Sequence, residues 1–239
     1  MTIPSKVKFI DNELEKAFNS LSNEDPIKKA IIKAVGEAKK NSKKRGFTQS
    51  IDLILNFMEL DLKKPENRFN ETIDLPHPPK PGLKVVVFAG GDLALRARNA
   101  GADQVLGRES LDAFASDKKG AKKLVSRTDF FIAETPLMST VGKVLGPILG
   151  PRGKMPTPIP PNAPIDSIIN RQRRSVKVRV REQLNAQCAV GTENMPDEEL
   201  AENIQAVVAR VEGKLPKGLK NVREVGVKTT MGSFVKIEL

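Results

Sequence analysis

One histidine and one cysteine are all that this 239-residue sequence offers for imidazole and thiol chemistry. A lone Cys188 permits no internal disulfide and no cysteine-rich zinc site. His77 lies in Pro76-His77-Pro78-Pro79, a stiff extended stretch. An exposed connector residue is expected there rather than an oriented catalytic base. Two glycine runs imitate phosphate cradles. Gly90-Gly91 follows the apolar run at 84–89, as a phosphate-binding turn would. The dinucleotide pattern G-x-G-x-x-G is nevertheless absent from Ala89-Gly90-Gly91-Asp92-Leu93-Ala94. Asp92, the expected helix N-cap, also puts negative charge where a pyrophosphate would lie. In Gly150-Pro151-Arg152-Gly153-Lys154-Met155, Ile148 stands where a P-loop has glycine, and Met155 where it has the magnesium-binding hydroxyl. This segment reads either as a secondary RNA contact through Gly150, Arg152, Gly153 and Lys154, or as a hinge. No cofactor or metal is expected. A nucleotide-dependent enzyme built on the middle segment is the rival reading.

The charge balance points elsewhere. Forty Lys and Arg face 29 Asp and Glu, a net charge of +11 with a pI near 9.7. Such an excess suits a polyanion, and nucleic acid first among them. With ten Phe but no Tyr or Trp, a folded RNA read through backbone and shape is a better fit than a single strand laid on aromatic platforms. The cations cluster. Lys39, Lys40, Lys43, Lys44 and Arg45 form one group; Arg171, Arg173, Arg174, Lys177, Arg179 and Arg181 form another. In the second group Val176, Val178 and Val180 alternate with Lys177, Arg179 and Arg181, a strand with one apolar and one basic face. Thr229-Thr230-Met231-Gly232-Ser233 is either a hairpin turn, with Gly232 supplying a positive φ, or a patch of small hydroxyls and bare backbone that packs on RNA. No apolar run reaches membrane-spanning length and the first ten residues carry no signal-like core. A soluble cytoplasmic protein without membrane contact is expected.

Two proline clusters, Pro76 to Pro81 and Pro156 to Pro164, divide the chain. Between them, strand, glycine turn, helix and strand alternate, the grammar of a parallel α/β layer. Strands are expected at 84–89, 103–106 and 129–134, with a helix containing Leu93, Leu95 and Ala97 and ending near Gly101. The N-terminal part offers a helix at 11–21 and a second one opened by Asp25 and Pro26, with Ile27, Ala30, Ile31, Ala34, Val35 and Ala38 on one face. Strands at 51–57 and 72–75 follow. The C-terminal part offers a helix at 197–212, with three acids in its first turn, and strands at 222–228 and 233–237. Neither end alone makes a full core. Either the chain holds three small domains or its two ends dock into one. Docking gives the expected fold class, α/β with two domains: a discontinuous α+β domain of residues 1–78 and 159–239, and an inserted α/β domain of residues 79–158.

Arg68-Phe69-Asn70-Glu71-Thr72, Leu149-Gly150-Pro151-Arg152-Gly153-Lys154-Met155-Pro156 and Thr229-Thr230-Met231-Gly232 occur in this order. Together they closely resemble the ribosomal protein L-one family, the protein of the large subunit's mobile stalk. Phe47-Thr48-Gln49-Ser50-Ile51 and Lys63-Lys64-Pro65-Glu66-Asn67 look like its archaeal branch. The resemblance implies a non-enzymatic, two-domain protein whose inserted α/β domain is Rossmann-like, monomeric when free. It would bind large-subunit rRNA near the exit site, assist release of deacylated exit-site tRNA, and repress translation of its own mRNA. Carried onto this sequence, the RNA-binding residues would be Arg68, Phe69 and Thr72 on one side and Lys228, Thr230, Met231, Gly232 and Ser233 on the other. Arg171, Arg174 and Lys177 would add phosphate contacts. The chain departs from many relatives at Ser233, where proline is common, and at Lys154, where bacteria commonly carry leucine.

Overall fold

A computed structural model describes residues 26–64 and 67–238. The helix expected at 11–21 and the Asp25 cap lie outside them. The chain divides into two compact units, 1–79 with 176–239, and 80–175.

In the first unit, helix α1 (Pro26–Lys40) is followed by strands β1 (Ser50–Phe57) and β2 (Phe69–Asp74). After the second unit come β7 (Ser175–Val180), β8 (Asn185–Thr192), helix α8 (Asp197–Glu212), β9 (Val222–Thr229) and β10 (Val235–Ile237). An antiparallel sheet runs β10-β9-β1-β8, and β2 pairs with β7 in a separate ribbon. The local sequence explains these elements. In β1, Ile51, Leu53, Leu55 and Phe57 alternate with half-buried residues, so one face is apolar. In α8, Leu200, Ile204, Val207 and Val211 recur at helical spacing and are buried, each worth about 1.5–3 kcal/mol relative to exposure. Helices α1 and α8 lie against the same apolar face and against each other. The ribbon closes one end of that core through Ile73, Val176, Val178 and Val180.

Residues 80–175 form a doubly wound layer. Strands β3 (Val85–Phe88), β4 (Gln104–Leu106), β5 (Phe130–Glu134) and β6 (Thr157–Ile159) are all parallel, in the order β4-β3-β5-β6. Val85 and Val87 face a core closed by α2 (Gly91–Asn99) and α7 (Ile165–Arg173). Val86 and Phe88 face the other core, closed by α3 (Arg108–Ser116), α4 (Lys118–Arg127), α5 (Thr135–Val144) and α6 (Gly146–Leu149). A strand buried on both sides must be continuously apolar, as β3 is. Phe88 and Phe131 stack at 5.8 Å in this second core.

Several expectations change. The second unit runs on to Ser175 rather than stopping at 158, because 157–159 pairs with β5 and α7 packs on β3 and α2. The second proline cluster therefore lies inside a unit, and the return crossing at 175/176 carries no proline. Divided this way, the second unit holds 16 basic and 8 acidic residues, the first 24 and 21. Most of the excess charge thus belongs to the insertion. The helix expected after the glycine turn is α2, which buries Leu93 and Ala97 and leaves Leu95 58% exposed. Asp92 sits in the first turn of α2, paired with Arg96 at 2.9 Å, while Gly90 is the N-cap.

His77 is not a bare connector. Its Nε2 lies 2.8 Å from Glu202 Oε2. Its backbone N–H donates to Asn203 Oδ1 at 3.0 Å, and its carbonyl accepts from Asn203 Nδ2 at 3.1 Å. Asn203, fully buried on α8, also donates to the Val190 carbonyl at 2.8 Å. The chain is thus clasped to the first unit just before it leaves. Hydrogen bonds from His77 and Lys28 hold the Glu202 carboxyl below its ordinary range.

Candidate nucleic-acid interface

The turn between β9 and β10 is built on a polar network. Gln49 is 1% exposed at the entrance to β1. Its Nε2 donates to Ser42 Oγ (2.8 Å), the Lys43 carbonyl (3.2 Å) and Glu193 Oε2 (3.3 Å). Its Oε1 accepts the Met231 N–H at 3.2 Å. Ser42 Oγ also lies 3.1 Å from Thr229 Oγ1, which is fully buried. Ser50 and Thr230 pair three times: the Thr230 N–H donates to the Ser50 carbonyl and the Ser50 N–H to Thr230 Oγ1, each at 3.0 Å, and the Thr230 hydroxyl donates to the Ser50 carbonyl at 3.3 Å. Buried amide and hydroxyl groups are costly unless partnered, so this network fixes the backbone above it.

Above it stands Met231 at 62% exposure, and two residues before Gln49 Phe47 is 52% exposed; Phe234, 41% exposed, lays its ring against Gly226 of β9. Exposed Lys43, Lys44 and Arg45 border Phe47 in the chain. Gly232 is required here for a reason other than the one expected. Its φ is not positive, but a Cβ on it would lie 2.3 Å from Thr229 Oγ1. Its N–H donates to the Thr229 carbonyl at 3.1 Å. Ser233 is exposed beside it. Lys228 is half-buried opposite Asp52. Burial raises the Asp52 carboxyl from its ordinary range, and the Lys228 charge partly offsets that rise.

The residues expected on the other side of this surface are elsewhere. Phe69 meets Phe57 edge-on, with ring centroids 6.5 Å apart, at the far end of β1. The eight residues of β1, at about 3.3 Å each, put roughly 23 Å between that end and the Ser50–Thr230 pair. Thr72 is exposed on the opposite face of β2 from half-buried Phe69 and buried Ile73. Exposed Arg68 donates from Nε to the Leu62 carbonyl at 2.6 Å, within its own loop. On β7, Lys177 and Arg179 alternate with buried Val176, Val178 and Val180, as the pattern predicts. Arg171 and Arg174, on α7 and at its C-cap, belong to the second unit, whereas Lys177 belongs to the first. Phe47, Gln49 and Ser50 are the residues missed as site candidates. A glutamine flanked by Thr48 and Ser50 carries no visible signal, because two of its four side-chain partners, Glu193 and Met231, follow strands β8 and β9 and lie 144 and 182 positions away.

The glycine loop of the second unit ends a helix rather than starting one. The Gly153 N–H donates to the Gly150 carbonyl at 3.0 Å, and the Lys154 N–H to the Leu149 carbonyl at 3.1 Å. Gly153 has φ +67°. This is a Schellman closure, which collects carbonyls and leaves no cradle of amides for phosphate. Gly150 to Lys154 lie inside the second unit, and neither crossing between units, at 79/80 and 175/176, includes them. Lys154 Nζ donates to the Val125 and Thr128 carbonyls at 3.2 and 2.5 Å, closing the C-terminus of α4. Burial holds its pKa below the ordinary lysine range. Arg152 Nη1 donates to Ser126 Oγ at 2.8 Å.

At the carboxyl ends of β3 and β5, where a doubly wound sheet binds nucleotides, Glu134 Oε2 accepts the Gly90 N–H at 3.0 Å. A carboxylate already takes the amide a phosphate would need, and Asp92 stands two residues on. Among the described residues no group of three or more His, Cys, Asp and Glu is placed to hold a metal ion, and no helix is long and apolar enough to cross a membrane.

Fold and surface define a mixed α/β protein of the inserted type, whose first unit presents a rigid, half-apolar turn amid cations. The sequence pattern of the ribosomal protein L1p/L10e family matches residues 38–233, and the chain belongs to that family. It is 46% identical over 210 residues to the large ribosomal subunit protein uL1 of Methanocella arvoryzae, covering 88% of this chain and 99% of that one. The protein of the same name from Methanothermobacter thermautotrophicus is 46% identical over 207 residues, 87% of this chain and 98% of its own. That from Thermofilum pendens is 47% identical over 218 residues, 90% and 92%.

Proposed function

We propose that this chain is a structural, non-enzymatic constituent of the large ribosomal subunit and binds its rRNA through the first unit. The observation that carries this reading is the Gln49-anchored turn. It presents Met231 and the Thr230–Gly232 backbone in one fixed conformation, beside the exposed Phe47 and a run of cations. Fixed backbone and small polar groups can read the shape and 2′-hydroxyls of a folded RNA, while cations hold its phosphates. Family membership and relatives named as large-subunit proteins support the same reading.

The finer role follows from the family resemblance. The rRNA bound would be that of the mobile stalk near the exit site, where the protein assists release of deacylated tRNA. A similar fold in its own mRNA would let it repress its own translation. The free protein would be a cytoplasmic monomer that assembles into the subunit. Arg68, Phe69 and Thr72, at the far end of β1 from the turn, would then be a second contact region on the same unit, with Arg171, Arg174 and Lys177 on phosphates. Met231→Asp tests the reading, because the residue is 62% exposed and is not part of the hydrophobic core. Affinity for the large-subunit rRNA should fall at least about tenfold, with an unchanged melting temperature. Wild-type affinity in this variant would remove the turn from the interface.

A further inference from the structure

Helix α4 is the most one-sided element of the second unit. Its ten residues, Lys-Lys-Gly-Ala-Lys-Lys-Leu-Val-Ser-Arg, contain five cations and no acid. Ala121 and Val125 are buried against the sheet, which turns Lys119, Lys122, Lys123 and Arg127 outward, all exposed. These four follow i, i+3, i+4 and i+8 spacing, so they share one arc about 12 Å long. None of them forms an ion pair among the described residues. Cations elsewhere do: Lys39 with Asp197, Arg96 with Asp92 and Arg173 with Asp103. Acids close to the helix are already engaged. Asp117 accepts the Lys119 and Gly120 amides as N-cap, Asp129, two residues past Arg127, accepts the Lys84 amide, and Asp103 accepts the Val85 amide besides facing Arg173.

Like charges at this spacing repel and destabilise the helix, yet the fold secures it in place. Lys154 closes its C-terminal carbonyls, and Arg152 reaches Ser126, near the C-terminal end of the arc, adding a further exposed cation. The glycine loop, left without a phosphate cradle of its own, thereby becomes the strut that holds a cationic face. We propose that the outer arc of α4, with Arg152, is a second, sequence-independent RNA contact that grips phosphates of a duplex. An RNA backbone, rather than an acidic protein, fits the arc. Between Lys119 and Arg127 the exposed side chains are cations and one serine. The apolar residues that share a cavity with Lys123 and Arg127, among them Leu106, Phe114 and Leu124, are themselves half-buried, so the arc carries no exposed apolar anchor of the kind that protein interfaces centre on. The proposal rests on the reading that this protein works on RNA, but not on the Met231 turn.

The test uses the full chain carrying Lys119→Gln, Lys122→Gln, Lys123→Gln and Arg127→Gln, and a 24-base-pair duplex RNA of unrelated sequence as probe. Glutamine keeps helix propensity, so the variant should melt at the wild-type temperature or above it. Its affinity for the duplex should fall about tenfold or more near 0.1 M salt. The slope of log affinity against log salt should flatten by about 0.9 for each phosphate no longer neutralised, or roughly 2–3 overall. A parallel variant with arginine at Lys119, Lys122 and Lys123 should keep wild-type affinity and slope. Met231→Asp should leave duplex binding untouched, so failure of that turn and failure of this arc are read separately. Unchanged affinity and slope in the glutamine variant overturn the proposal. So does a loss confined to binding of an acidic protein.

Discussion

Gln49→Leu isolates the scaffold from the surface it supports. The side chain is 1% exposed and makes four hydrogen bonds, to Ser42, Lys43, Glu193 and Met231. Each buried bond is worth about 0.5–1.5 kcal/mol net. Two of the orphaned partners lie in exposed residues, the Lys43 carbonyl and the Met231 amide, and water can reach them. Ser42 keeps Thr229, and Glu193 keeps the Gln49 backbone amide. We therefore expect a loss of about 2–3 kcal/mol rather than the full sum of four bonds. Urea unfolding followed by a probe in the first unit measures it. Affinity for the large-subunit rRNA should fall as well, although Gln49 is buried. Gln49→Glu adds a sign. A carboxylate facing Glu193 and the Lys43 carbonyl is disfavoured in the folded state, so its folded pKa lies above its unfolded one. That penalty is fully present near neutral pH and shrinks as pH falls through the raised value. A loss below about 0.5 kcal/mol for Gln49→Leu, together with unchanged rRNA affinity, would refute the claim that this network positions the turn.

Two further outcomes follow from the same geometry. Gly232→Ala should cost about 1–3 kcal/mol by overpacking against Thr229 Oγ1. Thr229→Ala in the same chain should recover part of that cost, and a double-mutant cycle reads the coupling. Burial, with Asp52 nearby, pushes the Cys188 thiol up to about 12. Its folded value thus exceeds its unfolded one, so stability is held below about pH 8.5 and declines as pH rises towards 12. Iodoacetamide at pH 8 should label Cys188 only at the rate of unfolding, and rapid labelling of the folded chain would contradict that burial.

Wherever a pattern depends on near neighbours in the chain, the residues announced the structure. Helix α8 occupies the interval its apolar spacing and acidic first turn predict. The four consecutive buried residues of β3 and the basic face of β7 are equally direct consequences of local alternation. The boundary at 158 failed because prolines mark irregular backbone but do not say which side of a boundary it falls on. Three residues, 157–159, still complete a parallel sheet.

The site divides along the same line. That Thr229 to Ser233 form an exposed small-residue turn is written in the sequence, and so is the exclusion of thiol, zinc and P-loop chemistry by single residues in the wrong places. Tertiary structure alone decided that Ser50, not Thr72, is hydrogen-bonded to Thr230. It also separated Phe69 from the turn by the length of β1, and made Gly232 a matter of space rather than of φ. The physical reason is the range of the forces that matter. Side-chain alternation and helix spacing are fixed within a few residues. Strand pairing and buried polar contacts bring together groups as much as 187 residues apart, and no local pattern encodes which of them will meet.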